Sequence, residues 1–155
     1  MALPNPNSRE RVYAALWDLI LGNQWIASQF VTTGRYLIDL ANLTRDQMPA
    51  LFLCQHGERH VKVHGLDAKR TMDASLVAYA WTPAQSQLLP ATLLNNCMDA
   101  LDLLFEYPNN PSNVQTLGGL VDHVQINGEV VIVEGQLATG ENGSVMVVPL
   151  QIMLP

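Results

Sequence analysis

The chain has 155 residues, of which 48% are apolar, and its eight Lys/Arg against 14 Asp/Glu give a formal net charge of −6. This length favours one domain with a sizeable core, and the negative balance argues against a surface that grips nucleic acid by its phosphates. No apolar run approaches the ~20 residues needed to cross a bilayer, and the N-terminus has neither the basic nor the apolar region of a secretory signal.

The N-terminal segment divides into an arm and a helix. Two prolines within residues 1–7 predict an extended N-terminal arm, which precedes a single α+β domain over 8–155. Asn7 can cap a helix, and Glu10, three residues on, can close a capping box. Apolar residues then recur at helical spacing, so the sequence predicts a first helix over 8–21.

Strands are expected in the segment that follows. Residues 23–28 are interpreted as a connection, and strand-forming side chains predict a strand over 30–37. Segment 42–48 is polar and fits one helical turn, whereas the compact apolar run 50–54 predicts a buried strand. The longest polar stretch, residues 55–70, is interpreted as an excursion between two strands or as a hairpin of its own.

Residues 71–82 alternate with a period of two, which predicts a strand. One face is rich in alanine, which lets a helix pack closely. That face consists of Met72, Ala74, Leu76, Ala78 and Ala80. The opposite face carries Val77, Tyr79 and Trp81, which form either a second core or an exposed protein-binding patch, since aromatic residues are enriched at protein interfaces.

The last third of the chain contains one more helix and several strands. An apolar stripe behind a proline predicts a second helix over 90–106. Asn127-Gly128 is a strong hairpin signal between alternating segments 121–126 and 129–134, and residues 144–154 predict a final strand. Together these elements predict an α+β fold with a mainly antiparallel sheet and two helices packed on one face.

One local cluster has the composition of a metal site. Cys54, His56, His60 and His64 are ligand types that zinc and related metals take. The three histidines would share a face only on a helix, and the surrounding glycines and alternating valines argue against a helix there. The spacing is also not that of a zinc finger. We therefore expect solvent-facing histidines and no metal ligand among them.

Catalytic signatures are likewise not assembled. Cys97 falls on the apolar stripe of the second predicted helix, so it is expected to pack in the core and not to act with His123 as a nucleophile. Glu129 and Glu134 lie on opposite faces of one predicted strand and cannot form a carboxylate pair by themselves. With no secretion signal, Cys54 and Cys97 are expected to be thiols. The sequence predicts no catalytic residue, no metal and no cofactor.

Several segments between Arg9 and Leu154 form an ordered pattern that leaves the arm 1–7 outside. The strongest segment is Val114–Val121, followed by His123, Ile126, Gly128 and Glu129. The other segments are Arg9–Leu16, Thr33–Leu37, Asp46–Phe52 with Gln55, Gly57 and Glu58, Gly65–Arg70, and Glu134-Gly135 with the C-terminal strand. In this order and spacing, the segments resemble the tail terminator and minor tail proteins of long-tailed, siphovirus-type bacteriophages.

The resemblance implies a structural role in the virion. Such proteins form a ring, typically a hexamer, on the head-proximal end of the tail tube, stop its polymerisation, and present a docking surface to neck or head-completion proteins. The implied partners are further copies of the chain, the tube protein and a neck protein, with DNA passing through the lumen without specific binding and with no membrane. Assembly would take place in the host cytoplasm.

Residues 55–70 carry charges of both signs, which suits complementary docking. We therefore expect interface residues in and near this segment and on the aromatic face. The candidates are Arg35, Glu58, Lys69, Arg70, Tyr79 and Trp81. Two alternatives stay open: a head–tail connector or other neck ring protein, and, more distantly, a small metal-dependent enzyme.

Overall fold

The computed structural model describes residues 9–66, 68–106 and 114–155, in which it places three α-helices, six strands and two 3₁₀ turns. The expected arm 1–7, with the capping residue Asn7, lies outside the described residues. The helices are α1 (Arg9–Leu21), α2 (Gln24–Gln29) and α3 (Pro90–Glu106). The strands are β1 (Thr32–Gly34), β2 (Ala50–Val61), β3 (Lys69–Thr82), β4 (His123–Ile126), β5 (Val131–Gln136) and β6 (Asn142–Leu154).

The sheet is built around β3. This strand pairs antiparallel with β2 on one side and with β6 on the other. The short β1 runs parallel to β2, and β4 and β5 both pair antiparallel with the remaining edge of β6. The predicted α+β fold with a mainly antiparallel sheet is confirmed.

One face of the sheet holds the main core. The alanine-rich face of β3 is buried against residues of α1 and α3, together with alternate apolar residues of β6. Cys97 of α3 is fully buried there, and this burial raises the pKa of its thiol to about 12. The packing of the predicted helices on one face, and of Cys97 in the core, is thus confirmed. No helix in the described part of the chain is long and apolar enough to span a membrane.

The other face of the sheet is covered over part of its area by the segment between β1 and β2. This segment forms two 3₁₀ turns, Leu40–Asn42 and Arg45–Gln47, and the second lies within 42–48, where one helical turn was expected. Its side chains pack on Phe52 and Tyr79, whose rings meet edge to face at a centroid distance of 6.0 Å. A second, smaller core results.

The predicted hairpin at Asn127-Gly128 is wrong. β4 ends with Ile126 opposite Leu150, and β5 begins with Val131 opposite Val147, so the two strands follow one another along the same edge of β6. Pro149 lies between these two stretches and has no N–H to donate to that edge, while its carbonyl accepts a hydrogen bond from Asn127. A proline inside a sheet is tolerated where the ladder is interrupted, and here the interruption separates β4 from β5. β5 is instead joined by a turn to β6, with which it forms a hairpin.

Three further boundaries differ from the sequence prediction. The expected connection 23–28 contains α2, whose start is capped by Asn23 Oδ1 accepting a hydrogen bond from the Ile26 amide at 3.0 Å. A helix this short has too few residues to display a helical period. The strand expected over 30–37 is reduced to β1, because only Thr32–Gly34 pairs with β2. β2 continues past the predicted end at residue 54 to Val61, so of the two alternatives given for the polar stretch 55–70 the structure shows the hairpin.

The packing of α3 can be tested with two leucines of the same helix. Leu101 is fully buried, whereas Leu103 is 64% exposed. We expect Leu101→Ala to lower the free energy of unfolding by about 2–5 kcal/mol, because it removes apolar burial and leaves a cavity. The control Leu103→Ala should change it by less than about 0.5 kcal/mol. Urea unfolding of the two variants measures this, and equal losses would contradict the assigned face of the helix.

Candidate assembly surfaces

The distal hairpin, residues 55–66 and 68–70, forms one corner of the sheet. β1 pairs with β2 only between Ala50 and Phe52, so beyond that point β2 is an edge strand of the described sheet. The register of β2 against β3 shifts between Gln55 and Glu58, which marks a bulge. The tip exposes three large apolar side chains, Val61, Val63 and Leu66. This hairpin is the first exposed surface that suits a partner.

Glu58, one of the predicted interface residues, is engaged within the chain. Its Oε1 accepts a hydrogen bond from Arg9 Nη2 at 2.6 Å, and His60 Nε2 lies 2.8 Å from the same oxygen. The hydrogen bond from Arg9 is the main reason that the pKa of Glu58 lies below its ordinary value. Glu58 therefore ties the start of α1 to the distal hairpin.

Arg35 is also engaged within the chain. Its Nη1 donates to Glu10 Oε1 at 2.6 Å, and its Nη2 donates to the other oxygen at 3.2 Å. This hydrogen bonding lowers the pKa of Glu10. Arg35 and Glu58 thus both hold α1 in place, through ion pairs near the surface that individually contribute little.

Lys69 and Arg70 lie at the start of β3, opposite Val61 and His60. Neither makes an ion pair within the part of the chain that the structure describes. They remain candidates for contact with a partner. Lys62, at the exposed tip between the two strands, likewise makes no ion pair within the described part of the chain.

Tyr79 and Trp81 have different environments. Tyr79 is only 6% exposed and belongs to the second core, so of the two alternatives given for this residue the structure places it in the core. Burial is also the main reason that the pKa of its phenol is raised. Trp81 is half-buried and lines a cavity at the surface. Of the two aromatic side chains, only Trp81 is placed where a partner could touch it.

The cavity beside Trp81 has a volume of about 200 Å³. The guanidinium of Arg45 lies 5.6 Å from the centroid of the Trp81 ring, a cation–π distance, and its Nε donates to Glu141 Oε2 at 2.7 Å. The hydrogen bond from Arg45 is the first cause of the lowered pKa of Glu141. Most of the other lining groups are apolar, and they include Leu40, Met48, Val133, Leu137 and Val145.

β5 is a second exposed surface that suits a partner, and it was not among the predicted interface residues. All six of its residues are exposed, including three adjacent large apolar side chains, Val131, Ile132 and Val133. The strand pairs only with β6 in the described sheet, so its outer edge presents unpaired backbone groups. Val133 and Glu134 also line the cavity beside Trp81. The hairpin predicted at Asn127-Gly128 would pair 129–134 with 121–126, so that prediction includes no exposed edge strand here.

Among the described residues, the arrangement most like a catalytic site lies on the face of the sheet that carries the second core. His56 Nε2 is 2.6 Å from Ser75 Oγ. However, Ser75 is buried in a strand that pairs on both sides, so its neighbouring amides are used by the sheet and cannot form an oxyanion hole. Burial raises the pKa of the nearby Cys54 thiol, which disfavours a thiolate. Among the described residues, no three His, Cys, Asp or Glu side chains come together as metal ligands would.

Comparison of the chain with protein-family models and with curated proteins gives no match. The features of the molecule that bear on its function are the two exposed surfaces, the distal hairpin and β5 with its adjoining cavity. Both carry exposed apolar side chains next to charged ones, which is the composition of a protein-binding surface.

The ion pair of Glu58 should be visible in the pH dependence of stability. Because the folded pKa of Glu58 is lowered, its ionised form stabilises the fold above the pKa of an unfolded glutamate, about 4.3, and this contribution is lost as the pH falls through the lower folded value. We expect Glu58→Gln to show a smaller fall in unfolding free energy between about pH 5 and about pH 3 than the unchanged chain. Asp99→Asn, at an exposed position on α3 without an ion pair in the described part, is the control and should keep the full fall. Identical pH profiles for Glu58→Gln and the unchanged chain would contradict the assigned pair.

Two buried serines of the sheet allow a matched test of hydrogen bonding. Ser75 Oγ bonds with His56, whereas Ser144 Oγ is buried without a partner among the described residues. Ser75→Ala should lower the free energy of unfolding by about 1 kcal/mol, and Ser144→Ala should lower it less or not at all, because no hydrogen bond is lost. Urea unfolding measures both variants, and a greater loss for Ser144→Ala would show that its hydroxyl has a partner.

Proposed function

We propose that the chain is a structural ring subunit of a long-tailed bacteriophage, of the tail terminator type. It caps the tail tube at its head-proximal end, stops tube polymerisation, and offers a docking surface to neck or head-completion proteins. The family resemblance described above supplies the class of particle, and the exposed surfaces of the fold support a role in assembly.

The observation that carries the proposal is the exposed edge strand β5. Proteins that function as monomers protect such edges with charges, prolines, bulges or covering elements, because an uncovered apolar edge strand pairs with other chains. β5 instead exposes Val131, Ile132 and Val133 in succession. A surface of this kind is consistent with a subunit that is covered when it assembles.

The sequence and site chemistry support the same proposal. In the described part of the chain His56 bonds with Ser75 but with no carboxylate, and Ser75 lies in a strand that pairs on both sides, so the acid and oxyanion groups that a hydrolase of the Ser–His type requires are not assembled there. The net charge of −6 suits a ring through which DNA moves without adhering, since like charge disfavours phosphate contacts.

The ring is proposed to block growth of the tail tube because its two faces differ in what they bind. Contacts between unlike surfaces of neighbouring copies close into a ring when the rotation between them completes a circle. One face of that ring copies the contact that a tube ring makes, and the other face does not template a further tube ring. Tube growth then stops without any chemical step.

Removing the chain from the phage that encodes it tests this function. Without the terminator, tubes should continue to grow, so we expect tails of variable and excessive length that lack heads. Electron microscopy of lysates measures the tail-length distribution, and restoring the chain from a plasmid should restore one sharp length. Particles with normal tails and attached heads in the absence of the chain would contradict the proposal.

A further inference from the structure

The charges of this chain are strongly segregated along the sequence. Half of its lysines and arginines lie in the distal hairpin: Arg59, Lys62, Lys69 and Arg70. No lysine or arginine follows Arg70, whereas eight acidic residues do: Asp73, Asp99, Asp102, Glu106, Asp122, Glu129, Glu134 and Glu141. The distal hairpin is therefore a basic corner of a chain whose later elements are acidic.

β5 is an acidic and apolar counterpart of the distal hairpin. Glu129 precedes the strand and Glu134 lies within it, both exposed, and neither makes an ion pair with another described residue. Between them lie the exposed Val131, Ile132 and Val133. The hairpin tip offers the matching set of exposed valines and a leucine beside Lys62 and Lys69. The two surfaces are complementary in both charge and apolar character.

The fold prevents one copy from joining these two surfaces to each other. β5 lies on the outer edge of β6, and β2 lies on the opposite side of β3. Along the strands, β5 pairs with Asn142–Val147, whereas Arg70 pairs with Leu154. The seven-residue step from Val147 to Leu154 corresponds to about 23 Å of extended strand. The surfaces are thus at diagonally opposite corners of the sheet, and only a second copy can bring them together.

We propose that the distal hairpin of one copy binds β5 and the adjoining Trp81 cavity of the next copy. Lys62 and Lys69 lie against Glu129 and Glu134, and the apolar tip covers Val131–Val133. Because the contact joins unlike surfaces, it is head-to-tail and repeats from copy to copy, as a ring requires. The inference deepens the proposed ring function by naming its inter-subunit contact.

Reversing the charges on each surface gives a specific test. One variant carries Lys62→Glu with Lys69→Glu, and the other carries Glu129→Lys with Glu134→Lys. All four positions are exposed, so both variants should fold, and circular dichroism checks this. Analytical ultracentrifugation of full-length chains at low salt should show each variant associating with itself at least about tenfold more weakly than the unchanged chain, since like charges then face each other.

Mixing the two variants is the decisive measurement. In the mixture every contact between different variants pairs opposite charges again, so an equimolar mixture should recover the assembly that neither variant forms alone. The control Asp18→Lys with Asp99→Lys reverses two exposed acidic residues on α1 and α3, and should associate like the unchanged chain. Failure of the mixture to assemble, or equal weakening by the control, would overturn the proposed contact.

Two further outcomes would also overturn it. One is an unchanged chain that stays monomeric at low salt and high concentration. The other is loss of binding to double-stranded DNA on reversal of the hairpin lysines, with self-association unaffected, since the basic corner would then serve nucleic acid. The two proposals fail in different ways. If only the proposed function is wrong, mixing the two variants still restores assembly, but phage that lacks the chain makes normal tails. If only the proposed contact is wrong, phage that lacks the chain makes overlong tails, but mixing the two variants does not restore assembly.

Discussion

The antiparallel pairing of β3 with β6, which runs from Arg70 opposite Leu154 to Thr82 opposite Asn142, is the constraint on which the rest of the molecule depends. Because side chains alternate between the two faces of the sheet along both strands, this one register places one set of side chains against the helices and the other set in the second core. A shift by one residue would exchange the two sets and place Tyr79 and Trp81 under the helices. The same pairing separates the distal hairpin from β5.

The exposed surfaces follow from the way this pairing ends. Pro149 interrupts the outer edge of β6, so the chain from His123 to Gln136 forms two short strands there in place of one continuous strand. β5 remains as an edge strand without a further neighbour in the described sheet. At the other corner, β2 extends beyond its pairing with β1 and leads into the basic tip of the distal hairpin. The ion pairs of Arg35 and Glu58, in contrast, are made within the chain and join α1 to the segment after β1 and to the distal hairpin.

The sequence predicts well the helices and strands that show in the spacing of apolar residues, and predicts poorly which strands pair with one another. Alternation over 71–82 and the apolar stripe over 90–106 reveal β3, α3 and the faces that they bury. Asn127-Gly128 has the local chemistry of a hairpin, and nothing local shows that both flanking segments pair with β6 instead. For a similar reason the sequence does not reveal which interface candidates are engaged within the chain: an ion pair such as Arg35 with Glu10 joins residues that only the fold brings together. Lys69, Arg70 and Trp81 stay candidates because the fold leaves them accessible to a partner.

Whether copies of the chain form one ring at the end of a tail tube can be decided from their position in the particle. Electron cryomicroscopy of intact virions, with the chain fitted into the density, measures both its copy number and its place. We expect one ring at the head-proximal end of the tube, with the distal hairpin of each subunit against β5 of its neighbour. Many copies along the tube, or no copy in the virion, would contradict it.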